Sequence, residues 1–101
     1  MKIEWSSCAR KTLREFAELV CQEAGERSAR HWIDGLEARV AILATHPHAG
    51  RMVPEVGRPD VRELLYRVHR VIYQLDTQSD LCTIVSLRHA RQDTTPENHS
   101  E

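Results

Sequence analysis

Apolar residues in the first half of the chain recur with the spacing of amphipathic helices. The chain begins with Lys2–Trp5, where apolar and charged residues alternate as in a strand. Apolar positions three and four residues apart then predict one helix that begins near Ala9 and ends at Gly25. A second stripe with the same spacing predicts another helix from about Arg27 to Thr45. Because two or three residues join them, we expect the helices to form an antiparallel hairpin.

Two aromatic residues of these helices, Phe16 and Trp32, are expected to pin the hairpin to the core. Gly35 lies inside the second helix, where glycine costs about 1 kcal/mol relative to alanine unless it lets a neighbour approach closely. The second helix should stop before Pro47, because proline disfavours helical geometry at His46.

The second half of the chain shows the alternation of half-buried strands. Val61–Asp76 predicts two consecutive strands, and Leu81–Leu87 predicts a third. The polar segment Thr77–Asp80 has the residue types of a hairpin turn. His46–Asp60, rich in proline and glycine, is expected to be a long and functional loop. The predicted order β-α-α-β-β-β is an α+β fold, with one helical hairpin on an antiparallel sheet.

Composition bounds the size and location of the protein. The 101 residues suit one domain, which we place at residues 1–91, followed by a polar and flexible tail at residues 92–101. There is no signal-peptide pattern and no apolar run of membrane-spanning length, so we expect no membrane association. Cys8, Cys21 and Cys82 form neither a CxxC pair nor a metal-ligand spacing, which predicts reduced, partly buried thiols in a cytoplasmic protein. We expect neither a metal nor a cofactor.

Charge is balanced over the chain but not along it. With 14 basic and 15 acidic residues, no overall field favours nucleic acid or a membrane. The predicted sheet and its loops are nevertheless rich in arginine: Arg51, Arg58, Arg62, Arg67, Arg70, Arg88 and Arg91. This local excess suggests a site for a polyanion or an acidic partner. Solvated arginines on an exposed sheet face explain the same pattern equally well.

Four segments in this order resemble the RelE/ParE superfamily, the toxins of bacterial type II toxin–antitoxin modules. They are LATHPHAGRMVPE (Leu43–Glu55), VREL (Val61–Leu64), HRVIYQLD (His69–Asp76) and IVSLRHAR (Ile84–Arg91). Each motif is weak by itself, but together they span most of the chain. The resemblance implies the same α+β fold and two alternative activities. RelE-like members cleave messenger RNA on the ribosome, whereas ParE-like members inhibit DNA gyrase without established nuclease chemistry.

The nuclease alternative needs cations at the phosphate and a group that transfers protons. Arg62 and Arg70 offer guanidinium groups for the phosphate, His89 offers an imidazole, and Arg91 is a possible second clamp. Each also has a structural explanation. Arg62, which directly precedes Glu63, can be an ordinary cross-strand ion-pair partner, Arg70 can be a residue that borders the sheet, and His89 can be a surface residue at a strand end.

Charge favours the gyrase alternative. Ribosome-directed relatives are generally strongly basic and often carry a C-terminal tyrosine. Here the only lysines are Lys2 and Lys11, and nothing after Tyr73 is aromatic. We therefore expect a non-enzymatic gyrase inhibitor, with an mRNA endoribonuclease or a non-toxic binding module as alternatives.

The resemblance also implies a cognate antitoxin as partner. An amphipathic antitoxin segment would lie in a groove between the hairpin and the sheet, with acidic side chains meeting arginines. The residues predicted to bind the antitoxin or the target are Arg51, Arg62, Arg67, Arg70, His89 and Arg91. The sequence leaves open which of Arg67 and Arg70 faces the site.

Overall fold

A computed structural model describes residues 1–90 of the chain. Arg91 and the predicted tail, residues 92–101, lie outside the described residues. Within residues 1–90 the elements are β1 (Lys2–Trp5), α1 (Ser7–Ala24), α2 (Glu26–Ala41), a 3-10 turn (Ile42–Ala44), β2 (Arg51–Met52), β3 (Val61–Tyr66), β4 (His69–Asp76) and β5 (Leu81–His89).

The helical hairpin is tighter than predicted, since Gly25 alone joins α1 to α2. Ser6 caps α1, because its side chain accepts a hydrogen bond from the backbone N–H of Ala9 at 3.0 Å. Gly25 has a φ of 95°, which glycine adopts readily, and its N–H donates to the carbonyl of Cys21. Its own carbonyl accepts from the N–H of Ala29, so this one residue both ends α1 and starts α2.

The described strands form one sheet in the order β1-β5-β4-β3-β2. β1 runs parallel to β5, and every other neighbouring pair is antiparallel. The predicted α+β architecture is confirmed, but the parallel pairing of β1 makes the sheet mixed, where an antiparallel sheet was predicted, and β2 is an additional strand. β2 lies inside the segment predicted to be an irregular loop. The sequence did not predict it, because two residues are too few to show the alternation of a strand.

Helices α1 and α2 pack on one face of this sheet. Trp32 and the alternating residues of the central strands are buried, as predicted, and Phe16 packs against them. The Tyr66 hydroxyl reaches α2 and donates to the carbonyl of Trp32 at 2.9 Å. A Cβ at Gly35 would fall on that hydroxyl, which explains why glycine interrupts the helix.

The cysteines differ more than the sequence suggested. Cys82 is buried, and burial raises the pKa of its thiol to about 11. Cys21 is half-buried, whereas Cys8 is exposed, so the prediction of partial burial was wrong for Cys8. Cys8 lies at the start of α1, where its side chain falls outside the apolar stripe of the helix.

Candidate functional site

The face of the sheet turned away from the helices, here called the open face, carries a charged network. Side chains alternate along β3, so Leu64 and Tyr66 point towards the core whereas Glu63 and Leu65 point to the open face. Arg70 is the cross-strand partner of Leu65 and therefore shares that face. Strand pairing thus places Glu63 close to arginines of both neighbouring strands.

Glu63 is the centre of the network. Its side chain is only 1% exposed, and its Oε1 accepts a hydrogen bond from Arg70 Nε at 2.6 Å. The other oxygen, Oε2, accepts from Nε of Arg51, its cross-strand partner in β2. A buried carboxylate needs such charged donors, because an unpaired charge in this position would cost several kcal/mol.

A second carboxylate, Glu55, reaches Arg70 from the loop after β2. Its oxygens lie 3.2 and 3.5 Å from Arg70 Nη1 and Nη2, and its side chain is 60% exposed. A hydrogen bond within its own residue lowers the pKa of Glu55, and the bond from Arg70 lowers it further. Arg70 is thus enclosed by an inner and an outer carboxylate, which sequence analysis missed.

Arg62 holds the long loop together. Its Nη1 donates to the carbonyl of Gly50 at 2.9 Å, and its Nε donates to the carbonyl of Pro59 at 3.0 Å. Tyr73 supports the same loop, because its hydroxyl accepts from the Gly50 N–H and donates to the Pro47 carbonyl. These contacts give Arg62 a structural role through backbone carbonyls, and not through the cross-strand ion pair considered from the sequence.

Arg67 lies away from this network, in the turn between β3 and β4. It has a φ of 56°, an uncommon backbone conformation for a residue with a side chain. Its guanidinium carbon lies 5.4 Å from the centre of the Tyr66 ring, within the range of a cation–π contact. Of the two arginines left open by the sequence, Arg70 joins the open face and Arg67 joins the turn.

His89 is the last residue of β5 and borders a buried aromatic cluster. Its ring lies 5.4 Å from the ring of His69, its cross-strand partner. The His69 ring also contacts Phe16 at 4.8 Å and Trp32 at 5.3 Å. Burial lowers the pKa of His69, and the neighbouring His89 lowers it further.

The three nuclease candidates do not converge on one point. Arg62 pairs with the buried Tyr73 and lies on the helix-facing side of β3, whereas Arg70 lies on the open face. His89 lies in β5 opposite His69, level with Tyr66 at the end of β3. Arg62 lies four positions before Tyr66, the β3 partner of His69, which corresponds to roughly 13 Å along the strand.

A groove lies at the end of the hairpin where Gly25 joins the helices, and we call it the hairpin groove. It has a volume of about 650 Å³ and lies between this end of the hairpin and the β3–β4 turn. Its apolar wall includes Val20, Ala24, Trp32 and Val68, and its basic rim includes Arg27 and Arg67. Val68, in that turn, is 53% exposed. The sequence predicted a groove beside the hairpin and named Arg67 as a binding residue, but not the apolar residues of the wall. The signal available for them was an apolar residue, Val68, in a turn.

The buried nitrogen of His69 distinguishes this groove from an ordinary surface depression. His69 lines the groove, and its Nδ1 is buried without a hydrogen-bond partner among the described residues. A buried polar atom of this kind is uncommon and calls for an explanation.

The structure also bears on other classes of site. Across residues 1–90, no three His, Cys, Asp or Glu side chains gather as metal ligands would. In the same range, neither helix has the length and apolar character needed to cross a membrane.

Comparisons with known proteins place the fold and the family. A family model described as the ParE toxin of the type II toxin–antitoxin system parDE matches residues 3–94. No curated protein matches significantly.

Solved toxins share the architecture at low sequence identity. The chromosomal ParDE system from P. aeruginosa has a TM-score of 0.73 at 19% identity, over 88% of this chain and 95% of that chain. The isolated E. coli RelE toxin has a TM-score of 0.62 at 16% identity, over 98% and 94% of the two chains. In the intact E. coli RelBE toxin–antitoxin complex the corresponding values are 0.60 and 17%, over 88% and 95%. At such identities these structures support the fold alone.

The family match covers nearly the whole chain, including the strands that carry Glu63 and Arg70. It confirms the resemblance to the RelE/ParE superfamily that the four sequence motifs indicated. The protein belongs to the ParE toxin family, the toxin component of a type II toxin–antitoxin system.

Proposed function

We propose that this toxin acts by binding DNA gyrase, without cleaving RNA, and that a cognate antitoxin neutralises it in the cytoplasm. The observation that carries the proposal is the separation of Arg62, Arg70 and His89. RNA cleavage by the 2′-hydroxyl requires a proton-transfer group and a cation within hydrogen-bond reach of the same phosphate. In this fold the candidate groups lie on different faces and at different ends of the sheet.

The surroundings of Arg70 support the same proposal. Its side chain is 10% exposed and is held by Glu63 at 2.6 Å. A phosphate could reach this guanidinium only by displacing Glu55, and the buried pair with Glu63, which is costly to separate, would still offset the charge of Arg70. The chain also has a net charge of −1, so binding to ribosomal RNA would gain little from counterion release.

The hairpin groove supports an antitoxin as partner. An amphipathic segment could place an apolar side chain against Val68 and Trp32 and an acidic side chain beside Arg27 or Arg67. The similar solved structures are a ParDE toxin–antitoxin system and a RelBE toxin–antitoxin complex. We therefore propose that the antitoxin covers this groove.

Two assays on the same purified toxin test the choice of target. One measures gyrase supercoiling, and the other measures cleavage of an mRNA programmed on ribosomes. We expect inhibited supercoiling and intact mRNA from the natural toxin and from an Arg14→Ala variant, which changes an exposed residue of α1. Cleaved mRNA with active gyrase would reject the proposal.

Growth of cells tests whether the chain is toxic at all. Expression without the antitoxin should arrest growth, and co-expression of the neighbouring antitoxin gene should restore it. Normal growth with abundant folded toxin would favour a non-toxic binding module and reject a gyrase-directed toxin.

A further inference from the structure

The two carboxylates that hold Arg70 differ in burial and in distance. Glu63 is 1% exposed and lies 2.6 Å from Arg70 Nε. Glu55 is mostly exposed, and its oxygens lie 3.2 and 3.5 Å from the guanidinium. Because exposed ion pairs contribute little and exchange readily with solvent, Glu55 is the partner that another anion can replace.

Glu55 belongs to a loop segment that is attached at both ends but exposed in between. Val53 is buried and accepts hydrogen bonds from the N–H groups of Val56 and Gly57, which form a tight turn. The residues from Pro54 to Pro59 are exposed. Glu55 can therefore leave Arg70 by a side-chain rotation, while the fold of the loop remains.

Displacement of Glu55 would change the charge of the open face. Arg51 and Arg70 both bind Glu63, and the Glu55 carboxylate offsets the positive charge of Arg70. Without it, Glu63 would remain in contact with both guanidinium groups, and the local charge would become more positive by one. Arg51 is already accessible, since its side chain is 68% exposed. An incoming carboxylate would meet both arginines from the solvent side.

We propose that Glu55 is a built-in substitute for a carboxylate of the antitoxin, and that an acidic antitoxin segment displaces it to bind Arg70 and Arg51. This inference rests on the proposed function, because it describes a second contact of the same antitoxin on the open face.

The neighbourhood of Arg70 favours a peptide over a nucleic acid. Leu65 lies directly across from Arg70 in the strand register and is 56% exposed. Neighbouring cross-strand side chains are about 5 Å apart, so a bound segment would meet an arginine and a leucine side by side. An extended peptide presents every second side chain to one side. A segment in which acidic and apolar residues occur two positions apart therefore matches this surface.

Binding of a designed peptide tests the proposal. The probe is a fluorescently labelled peptide of sequence Glu-Ser-Leu-Ser-Glu-Ser-Leu-Ser, and the control peptide carries glutamine in place of glutamate. We expect a Glu55→Gln toxin to bind the acidic peptide about threefold more tightly than the natural toxin, because the internal competitor has lost its charge. Glu15→Gln, which removes an exposed carboxylate of α1, should leave the affinity unchanged.

Further variants and probes separate the alternatives. Arg51→Gln should weaken binding of the acidic peptide. Neither Arg51→Gln nor Glu55→Gln should change binding of the glutamine peptide. Equal affinities of the Glu55→Gln and Glu15→Gln toxins would overturn the proposal, as would the absence of measurable peptide binding. Tighter binding of an oligo-thymidylate of equal charge than of the acidic peptide would also overturn the proposal, because it would identify the open face as a site for a nucleic acid. Gyrase inhibition is measured on the same preparations, so failure of this inference can be distinguished from failure of the proposed target.

Discussion

The open face and the hairpin groove both contain arginines, but they use them differently. On the open face, the carboxylates of Glu63 and Glu55 bind Arg51 and Arg70 within the fold. In the groove, Arg67 lies over an aromatic ring beside the exposed Val68. The number of arginines in a strand therefore does not identify an interface. The position of the carboxylates decides which arginines belong to the fold.

The largest expected effect comes from the inner carboxylate. Glu63→Ala should lower the free energy of unfolding by about 3 kcal/mol or more, because it leaves the guanidinium of Arg70 buried without its main partner. Urea denaturation at neutral pH measures this loss.

Glu55→Ala is the matched control on the outer side. Its carboxylate is mostly exposed, so its removal should cost less than about 1 kcal/mol. Equal losses for Glu63→Ala and Glu55→Ala would contradict the distinction between an inner, structural carboxylate and an outer, exchangeable one.

A somewhat smaller effect is expected under the groove, at Gly35. Gly35→Ala should destabilise the protein by about 1–3 kcal/mol, because the new methyl group collides with the Tyr66 hydroxyl that binds the Trp32 carbonyl. Thermal unfolding measured by circular dichroism gives the change.

The Tyr66→Phe background tests the cause of that loss. With the hydroxyl removed, Gly35→Ala should cost much less, since alanine is also the better helix former by about 1 kcal/mol. An undiminished cost in the Tyr66→Phe background would show that the hydroxyl is not the obstacle.

The two regions should also respond to pH in different ranges. The pKa of His69 is lowered in the fold from its ordinary value of 6.5, so below that pH the unfolded chain takes up a proton that the folded chain resists. Stability supported by neutral His69 is therefore complete above pH 6.5 and declines as the pH falls towards the lowered folded pKa. Denaturation curves between pH 7.5 and 5 should show this decline, and His69→Phe should flatten it. An unchanged slope in His69→Phe would assign the decline to other groups.

Glu55 should respond only in more acidic solution. Its folded pKa is lowered from 4.5, so its contribution is present above that value and is lost as the pH falls through the folded pKa. Because its side chain is mostly exposed, the change at Glu55 should be small.

Local patterns predicted the elements of this fold well, but not the contacts between them. The alternation of Val71, Tyr73 and Leu75 identified β4, because residues buried on one face of a sheet repeat every second position. The partners of Glu63 depend on the register of β2 with β3, and a two-residue strand leaves no periodic signal. The assignment of Arg67 to the turn likewise depended on its backbone conformation, which sequence spacing does not encode.

The smallest effect on stability is expected in the hairpin groove, where a substitution should affect binding more than folding. Val68→Ser should change the free energy of unfolding by no more than about 0.5 kcal/mol, because the side chain is already half exposed. It should nevertheless weaken neutralisation by the antitoxin, since an apolar contact of the proposed interface is lost. Leu19→Ser is the matched control, because Leu19 is 52% exposed on α1 and does not line the groove. The measurement is growth of cells that co-express each toxin variant with the antitoxin. Equal rescue of both variants would place the antitoxin elsewhere on the toxin.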